Sequence, residues 1–373
     1  MSARNLLLLN APATARMRGL SLVELMVALT ISVVLIFGAT QVYVDSRNAY
    51  NTNEAVARLQ ENARYAMSVI EPDIRMSNYW GLMKGATLSQ PAGQAAQTAA
   101  AAPIANNSQV LVCGTNFAVD LVTTLQGDNN SYVLSPSRSA ACNTVAGTGW
   151  LTSPQLSSDT LTVRRASTIN SVDGTGAPLS VVNVLQICST RTAARVYSDG
   201  SACGAAPTSQ VNNLIVNAYY VDNGSSQGAT TPSLRRKSLV TIGGVKQFQD
   251  QEIMAGVEDL QVQFGIDAGV SPSGVATRYV NPNAVPAGAA VVAVRIWLLL
   301  RSDAPEPGLI DNRTYTYADR LAATGTVSAL NSAGSAGRAF QPSLDGSNAL
   351  TSVKRYRRLL VCRTFQVRNS LGT

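Results

Sequence analysis

The chain has 373 residues, a net charge of +7 at pH 7, 14% charged residues, five cysteines and no histidine. That length exceeds the length of one typical small domain. A net positive charge this small is only weak evidence for nucleic acid or an acidic surface as a partner. Without histidine or a C-x-x-C pair, the sequence argues against zinc sites and thioredoxin-like redox chemistry.

The first predicted element is an apolar helix near the N-terminus. From Leu20 to Val44 the chain has 25 residues and a single charge, Glu24. An α-helix rises about 1.5 Å per residue, so this segment would be roughly 37 Å long, enough to cross the hydrocarbon core of a bilayer. Arg4, Arg16 and Arg18 precede it without an acidic residue, which predicts that this end stays in the cytoplasm.

Three interpretations fit a basic flank followed by an apolar run. A secretory signal peptide has a shorter apolar core and an A-x-A site after it, and no good site of that kind follows here. An uncleaved anchor leaves Glu24 unexplained, because a carboxylate within a membrane helix is costly. Cleavage between Gly19 and Leu20 would place Glu24 fifth in the new chain, in the first helical turn, where the helix dipole favours an anion. The α-amino group of a neighbouring copy could then pair with it, and this third interpretation is favoured.

The stretch Arg18–Met26 resembles the class III signal of type IV pilins and type II secretion pseudopilins. Gly19 matches the residue before the prepilin-peptidase cut, and Ser21–Leu25 (S-L-V-E-L) matches the T-L-I-E-L core of that family. The resemblance implies cleavage after Gly19, N-methylation of Leu20 and an assembly role for the Glu24 carboxylate. Leu20 departs from the pattern, since the family more often has Phe at that position.

Residues 45–80 are predicted to form an amphipathic stem helix. Steps of three and four mark an apolar stripe that should pack on the protein's own core, and it consists of Val56, Leu59, Ala63, Ala66, Ile70 and Ile74. Pro72 is expected to kink or interrupt this helix, because it lacks an N–H donor and crowds the preceding turn. The helix is predicted to end near Trp80.

Residues 81–373 are predicted to form a β-rich head. Strand patterns occupy residues 110–112, 160–164, 181–187, 214–221, 234–242, 257–266, 291–300 and 358–367. The fourth and fifth of these should form a hairpin with a longer loop, which begins at the Asn223-Gly224 turn signal. Low-complexity loops are predicted at 85–108, 171–178, 268–290 and 322–352. The predicted fold class is α+β, type IV pilin-like, with a long N-terminal helix packed on an antiparallel head.

The predicted orientation puts the head in an oxidising compartment, where disulfides are the favoured use of cysteine. We favour pairing of Cys113 with Cys142 and of Cys188 with Cys203, because the members of each pair are close in sequence. Sequence alone leaves the connectivity open. A loop as short as the second would stabilise the fold by roughly 3 kcal/mol if unstrained. Cys362 is then predicted to be a free, buried thiol in a strand.

The sequence argues against catalytic and metal-binding sites, and no cofactor, metal or catalytic residue is expected. Residues 224–228 spell G-x-S-x-G, but they follow a turn signal in a chain without histidine, so a loop is predicted. Asp267 and the pair Glu258-Asp259 could ligate calcium, yet no EF-hand-like loop accompanies them. The basic runs at 235–237 and 354–358 are predicted to be solvated strand faces, which makes a nucleic-acid partner unlikely.

Further segments along the chain resemble minor pilins of the PilW type, namely Glu61–Ala66, Asp73–Met76, Tyr79–Gly81, Gly256–Gly265, Val294–Arg301 and Arg357–Asn369. This resemblance implies a non-enzymatic protein of type IV pilus assembly. It implies prepilin peptidase, other minor pilins, the major pilin and a large tip adhesin as partners. The protein would first cross the inner membrane once, with its head in the periplasm, and then occupy the pilus, at its tip. A J-type minor pseudopilin of type II secretion and a membrane-anchored periplasmic binding protein or enzyme remain the alternatives.

Overall fold

The structure is a computed structural model that describes residues 21–84, 89–91, 117–119, 121, 123–132, 157–191, 194–197, 207–228, 230–269, 273–287, 289–320, 327–328, 339–340 and 354–370. The chain divides into two compact units, Met1–Asn53 and Glu54–Thr373. The predicted leader at residues 1–19 and the strand predicted at 110–112 lie outside the described residues.

One long helix, α1, runs from Leu22 to Arg75. Its second half buries a stripe at helical spacing, which comprises Leu59, Ala63, Ala66, Met67, Ile70, Asp73 and Ile74. The predicted core-facing stripe is therefore confirmed from Leu59 onward, whereas Val56 is only half-buried. Pro72 does not interrupt the helix, which continues to Arg75 and ends about one turn before the predicted Trp80.

Most of the remaining described residues are in β-strands. The strands are β1 Tyr79–Trp80, β2 Met83–Lys84, β3 Ser89–Pro91, β4 Leu125–Asp128, β5 Thr160–Asn170, β6 Gln186–Thr190, β7 Ala194–Tyr197, β8 Ser209–Asp222, β9 Ser233–Ile242, β10 Val245–Ala255, β11 Val257–Asp267, β12 Arg278–Val280, β13 Ala290–Arg301, β14 Val327–Ser328, β15 Ala339–Phe340 and β16 Arg358–Gln366. Short 3₁₀ helices occupy Pro282–Ala284 and Arg368–Ser370.

The larger sheet has eight strands and is built around β8. This strand pairs with β5 along one edge and with β6 and then β9 along the other, all antiparallel. β10 continues the sheet beyond β9, β7 and β3 continue it beyond β6, and β4 lies beyond β5. The predicted hairpin of β8 and β9, with its longer loop, is confirmed.

The smaller sheet has four antiparallel strands in the order β12-β11-β13-β16. The chain passes from the larger sheet into this one at a single residue, Gly256, between β10 and β11. Gly256 has φ +83°, and a Cβ atom there would lie 2.9 Å from the backbone oxygen of Arg301. Both the positive φ and the close approach require glycine at this corner.

A single core joins the second half of α1 to one face of each sheet. Its residues outside α1 are Leu125, Leu161, Val163, Tyr219, Val221, Leu234, Val257, Leu260, Val262, Phe264, Ile266, Val294, Ile296, Leu298, Leu300, Phe365 and Val367. A second core covers the opposite face of the larger sheet around Trp80 and Tyr220. A third, smaller cluster covers the opposite face of the smaller sheet around Leu299 and Phe340.

The α+β class, with one long N-terminal helix and antiparallel sheets, is confirmed, but several element boundaries are not. Residues 181–184 form a turn, and the strand predicted there begins only at Gln186. Three predicted loops contain short strands: β3 in the first, β12 in the third, and β14 and β15 in the last. β10 was not predicted at all, because its run V-K-Q-F-Q-D-Q-E-I-M-A reads as polar.

Candidate functional site

The first half of α1 is an uncovered apolar helix. Every residue from 21 to 51 is exposed, including large apolar side chains such as Leu22, Leu35 and Phe37. Among the described residues, α1 is the one helix long and apolar enough to cross a membrane by length and composition. An exposed apolar surface of this extent marks a helix that is covered by lipid or by other protein chains.

Three hydroxyl groups within this apolar segment form hydrogen bonds inside the helix itself. The hydroxyl groups of Thr30, Ser32 and Thr40 donate to backbone carbonyls one turn earlier, at 2.9, 2.7 and 2.7 Å. Such local bonds let a hydroxyl enter an apolar medium at little cost. Glu24 differs, because its carboxylate has no hydrogen-bond or salt-bridge partner within the described part of the chain.

Glu24 lies where a negative charge suits the helix. The hydroxyl oxygen of Ser21 accepts a hydrogen bond from the Glu24 N–H at 3.1 Å, so Ser21 acts as the N-cap. The carboxylate is in the first turn of α1, beside the positive end of the helix dipole. The structure thus gives Glu24 a favourable position, without a counter-charge among the described residues. Gly19 and Leu20, the predicted cleavage and methylation residues, lie outside the described residues.

Within the second unit, α1 is fixed to the larger sheet through the buried carboxylate of Asp73. Its Oδ1 accepts from Nε and Nη2 of Arg165 in β5, at 3.0 and 2.8 Å. Its Oδ2 accepts from Asn217 Nδ2 and Tyr219 OH in β8, both at 2.6 Å. Burial and the Asp73 charge raise the pKa of Tyr219 well above its ordinary value, so the phenol stays a donor. No pattern in the sequence predicted this role of Asp73.

The turn after α1 joins it to the C-terminal segment. Asn78 has φ +62°, and its Nδ2 donates to the backbone oxygen of Asn369 at 3.0 Å. Asn369 Nδ2 in turn donates to the backbone oxygen of Ser77 at 3.1 Å. These reciprocal bonds connect segments 291 and 292 residues apart.

The cysteines are only partly described. Cys188, in β6, is disulfide-bonded, while Cys113, Cys142 and Cys203 lie outside the described residues, so both pairings stay predictions. Cys362 is a free thiol in β16 as predicted, but it is exposed and not buried. It faces away from α1, because β16 turns Val361 and Phe365 toward the main core and Cys362 toward the opposite side.

The prediction that the two basic runs form solvated strand faces was wrong for Arg235, Lys237 and Arg358, whereas Arg355 is exposed and precedes β16. Arg235 is buried and pairs with Asp250 at 2.8 Å. Lys237 is also buried, and burial lowers the pKa of its ammonium group. Arg358 is buried as well and pairs with Glu258 at 2.6 Å. These cations are held by acidic residues within the fold, because neighbouring strands of both sheets carry complementary charges.

The acidic residues considered as calcium ligands have other roles. Glu258 is paired with Arg358, and Asp259 is held by Arg320 through Nε at 2.5 Å and Nη2 at 3.1 Å. Asp267 accepts hydrogen bonds from the loop that follows β11. In the described residues no group of three or more His, Cys, Asp or Glu could hold a metal ion. Residues 224–228 lie in the loop between β8 and β9, as predicted.

Comparisons with known proteins bear on the second half of the chain. Residues 218–369 match the family model PilW, described as type IV pilus-assembly protein W. No curated protein matches the chain. Among solved structures, a type IV-like pilin from Thermus thermophilus matches 60% of this chain and 82% of its own, with 15% identity and a TM-score of 0.25. That likeness is too slight to carry an argument. The PilW resemblance noted in the sequence is confirmed for residues 218–369.

Proposed function

Because residues 218–369 match the PilW family of type IV pilus-assembly proteins, we propose that this chain is a minor pilin. The observation that carries the proposal is the uncovered apolar half of α1 with its single carboxylate, in the same chain as that match. The role is assembly and interaction, without catalysis. The PilW match favours a pilus over the type II secretion machine.

In this proposal the chain is organised as a leader at 1–19, a transmembrane and assembly helix at 20–44, an amphipathic stem at 45–80 and a periplasmic head at 81–373. The apolar helix inserts in the inner membrane with the basic leader in the cytoplasm. Prepilin peptidase cuts between Gly19 and Leu20 and methylates the new amine. The helix then leaves the bilayer and joins a bundle formed with other minor pilins and the major pilin.

Glu24 supplies the selectivity of that step. A buried carboxylate without a partner costs several kcal/mol, so it favours positions where an adjacent subunit presents a positive charge. The amine on the first residue of a neighbouring pilin is such a charge. We place the protein in a complex that primes the filament, stays at the pilus tip and carries a large tip adhesin.

The first experiment tests maturation. Replacing Gly19 by a bulky residue should leave the leader attached, because the peptidase would no longer accept the site. Mass spectrometry of the N-terminal peptide measures cleavage and methylation in one spectrum. A mature protein that starts at Leu20 in this variant would contradict the proposal. An intact Arg16–Gly19 stretch on the wild-type protein would instead support a membrane-anchored binding protein or enzyme.

The second experiment tests Glu24. Glu24→Ala and Glu24→Gln should both permit insertion and cleavage but strongly reduce co-purification of partner pilins, because each removes the negative charge. Ser32→Ala is the matched control in the same helix, since the Ser32 hydroxyl bonds only to the backbone oxygen of Ala28 within the described residues. Normal piliation by both Glu24 variants would contradict the assigned role. Capture of secretion pseudopilins in place of pilins would identify the J-type alternative.

A further inference from the structure

Five polar side chains from distant segments meet beside the smaller sheet, and we call them the polar cluster: Asn129, Asn130, Ser157, Gln261 and Asp319. Asp319 Oδ2 accepts from Nδ2 of Asn129 and of Asn130, at 2.9 and 2.6 Å. Gln261 Nε2 lies 3.3 Å both from Asn130 Oδ1 and from the backbone oxygen of Ser157. These bonds join the ends of β4 and β5, the middle of β11 and the turn that contains Asp319.

Four oxygen atoms of the polar cluster are buried without a hydrogen-bond partner in the described part of the chain, namely Asn129 Oδ1, Ser157 Oγ, Gln261 Oε1 and Asp319 Oδ1. Gln261 is 0% exposed and Ser157 is 3% exposed. One such buried oxygen is unusual, because burying an acceptor without a hydrogen-bond donor is unfavourable. Four in one connected cluster indicate that something else binds them.

Exchanging the amide oxygen and nitrogen atoms does not remove this deficit. A turned Gln261 amide would point its oxygen at Asn130 Oδ1 and at the backbone oxygen of Ser157, which are both acceptors. A turned Asn129 amide would point its oxygen at the Asp319 carboxylate. The hydrogen-bond network therefore fixes both amide orientations, and the unpartnered atoms remain oxygens.

The carboxylates of the region are not all paired with basic residues. Asp159 accepts a hydrogen bond from the backbone N–H of Asn130, so it lies beside the polar cluster, and it is fully buried. Arg320 is the nearby cation, and its guanidinium is bound to Asp259. Within the described residues, neither Asp159 nor Asp319 forms a salt bridge. Asp159 is hydrogen-bonded to the backbone N–H groups of Asn130 and Val262, at 2.7 Å each, so Asp319 is the carboxylate with an open oxygen.

We propose that the polar cluster binds Ca²⁺ through Oδ1 of Asp319, Oδ1 of Asn129, Oε1 of Gln261 and Oγ of Ser157. Ca²⁺ takes six to eight oxygen ligands from carboxylates, amide carbonyls and water, in a flexible geometry. Mg²⁺ needs stricter octahedral geometry and retains its waters, so it suits this set less well. One carboxylate among four protein ligands gives a weak site, with a dissociation constant on the order of 10⁻⁴–10⁻³ M.

The site would connect segments that are far apart in the sequence. Asn129 precedes Asp319 by 190 residues along the chain, and Gln261 lies between them in β11. A cation shared by these residues would hold the ends of β4 and β5 against β11 and the Asp319 turn. The head would then be more stable in calcium than in its absence.

The test uses the full chain in detergent, freed of metal with EGTA. Isothermal titration with Ca²⁺ should show one saturable site, and the thermal unfolding midpoint should rise by roughly 2–4 °C at about ten times the dissociation constant. Mg²⁺ at the same concentration should give less than half of that rise. Absence of saturable binding up to about 10 mM Ca²⁺ would show that only water fills the cluster, and would overturn the proposal.

Substitutions test whether the calcium-dependent rise in the unfolding midpoint comes from these residues. Asp319→Asn should abolish the calcium shift, whereas Asp303→Asn, which removes the same charge from an exposed position, should keep it. Ser157→Ala should weaken calcium binding at least threefold while the metal-free midpoint stays the same, because its Oγ has no hydrogen bond to lose. Ser157→Ala therefore tests the site even if Asp319→Asn fails to fold. Unchanged affinity in Ser157→Ala would contradict the ligand set.

Discussion

At the scale of single residues, Asp73 connects α1 to the larger sheet. It lies in the apolar stripe of α1, where a charge is unexpected, and its two oxygens receive four hydrogen bonds from three residues of the larger sheet. Apolar packing positions a helix on a sheet only loosely, since one apolar contact can replace another. The directional bonds to Asp73 fix the rotation and translation of the helix.

Asp73→Asn should destabilise the protein by roughly 3–5 kcal/mol, because it leaves the largely buried Arg165 without its counter-charge. Glu54→Gln is the control on the same helix. It breaks the exposed pair of Glu54 and Arg58 and should change stability by no more than about 0.5 kcal/mol. Urea unfolding of the full chain in detergent measures both. Equal effects of the two substitutions on stability would show that the hydrogen bonds to Asp73 do not hold α1 on the larger sheet.

Asp267 gives a prediction about pH. Hydrogen bonds from the N–H groups of Gly269, Gly274 and Ser273 hold its pKa below the ordinary value of about 3.8. A carboxylate with a lowered pKa stabilises the fold above its unfolded-state pKa, and this contribution is lost as the pH falls through the folded-state pKa. Asp267→Asn should therefore unfold at a lower temperature than wild type at neutral pH, and the difference should shrink below about pH 3.8. A difference that stays constant as the pH falls below about 3.8 would contradict this account.

At the scale of elements, β16 shows what a pattern can and cannot reveal. Its alternation predicted a strand, and the strand is there, with Phe365 in the main core. An alternating pattern of side chains does not show whether other residues cover the second face of the strand. Leu360 packs against the third cluster, whereas Cys362 on the same face is exposed. For that reason the prediction of a buried Cys362 thiol was wrong.

The exposure of Cys362 predicts one reactive thiol in the native protein. A maleimide reagent should label Cys362, and Cys362→Ser should remove the label, if the other four cysteines form two disulfides. Partial desolvation raises the pKa of the Cys362 thiol, so labelling at neutral pH should be slower than for a free peptide thiol. Peptide mapping without reductant should find Cys188 joined to Cys203. More than one labelled cysteine would contradict the two-disulfide prediction.

The helix and strands that could be predicted are those in which apolar residues recur at a regular spacing. α1 and the strands β5, β8, β9, β11, β13 and β16 have strong apolar periodicity, so their existence followed from the sequence. β10 was missed because its polar sequence is typical of a loop. In the fold its charged side chains pair with those of the neighbouring strand, as Glu252 does with Arg235. The polar cluster was missed for another reason, since the residues that form it are brought together only by the folded sheets. Glu24 could be singled out because one carboxylate in an apolar run is visible in the local sequence, and its assembly role stays a prediction.

At the scale of the whole molecule, the two units should be separable by truncation. A chain that starts at Glu54 retains every buried residue of α1 and should stay folded and soluble without detergent. A chain that starts at Ser77 loses, among others, Leu59, Met67 and Ile70, each worth roughly 1.5–3 kcal/mol when buried, and should not fold. Gel filtration and thermal unfolding measure both. A Ser77 chain with the same midpoint as the Glu54 chain would mean that the sheets are stable without the helix.

The long separation in sequence between α1 and β16 has a consequence for biosynthesis. The apolar stripe of α1 leaves the ribosome well before Phe365 and Val367, which complete the core around it. The interval spans about 290 residues, which a ribosome adds in roughly 15–60 s. During that time the stripe can be covered only in part, by core residues of strands such as β5, β8 and β11 that are synthesised before β16. We therefore expect a holding chaperone to bind the nascent chain at α1 before the core is complete.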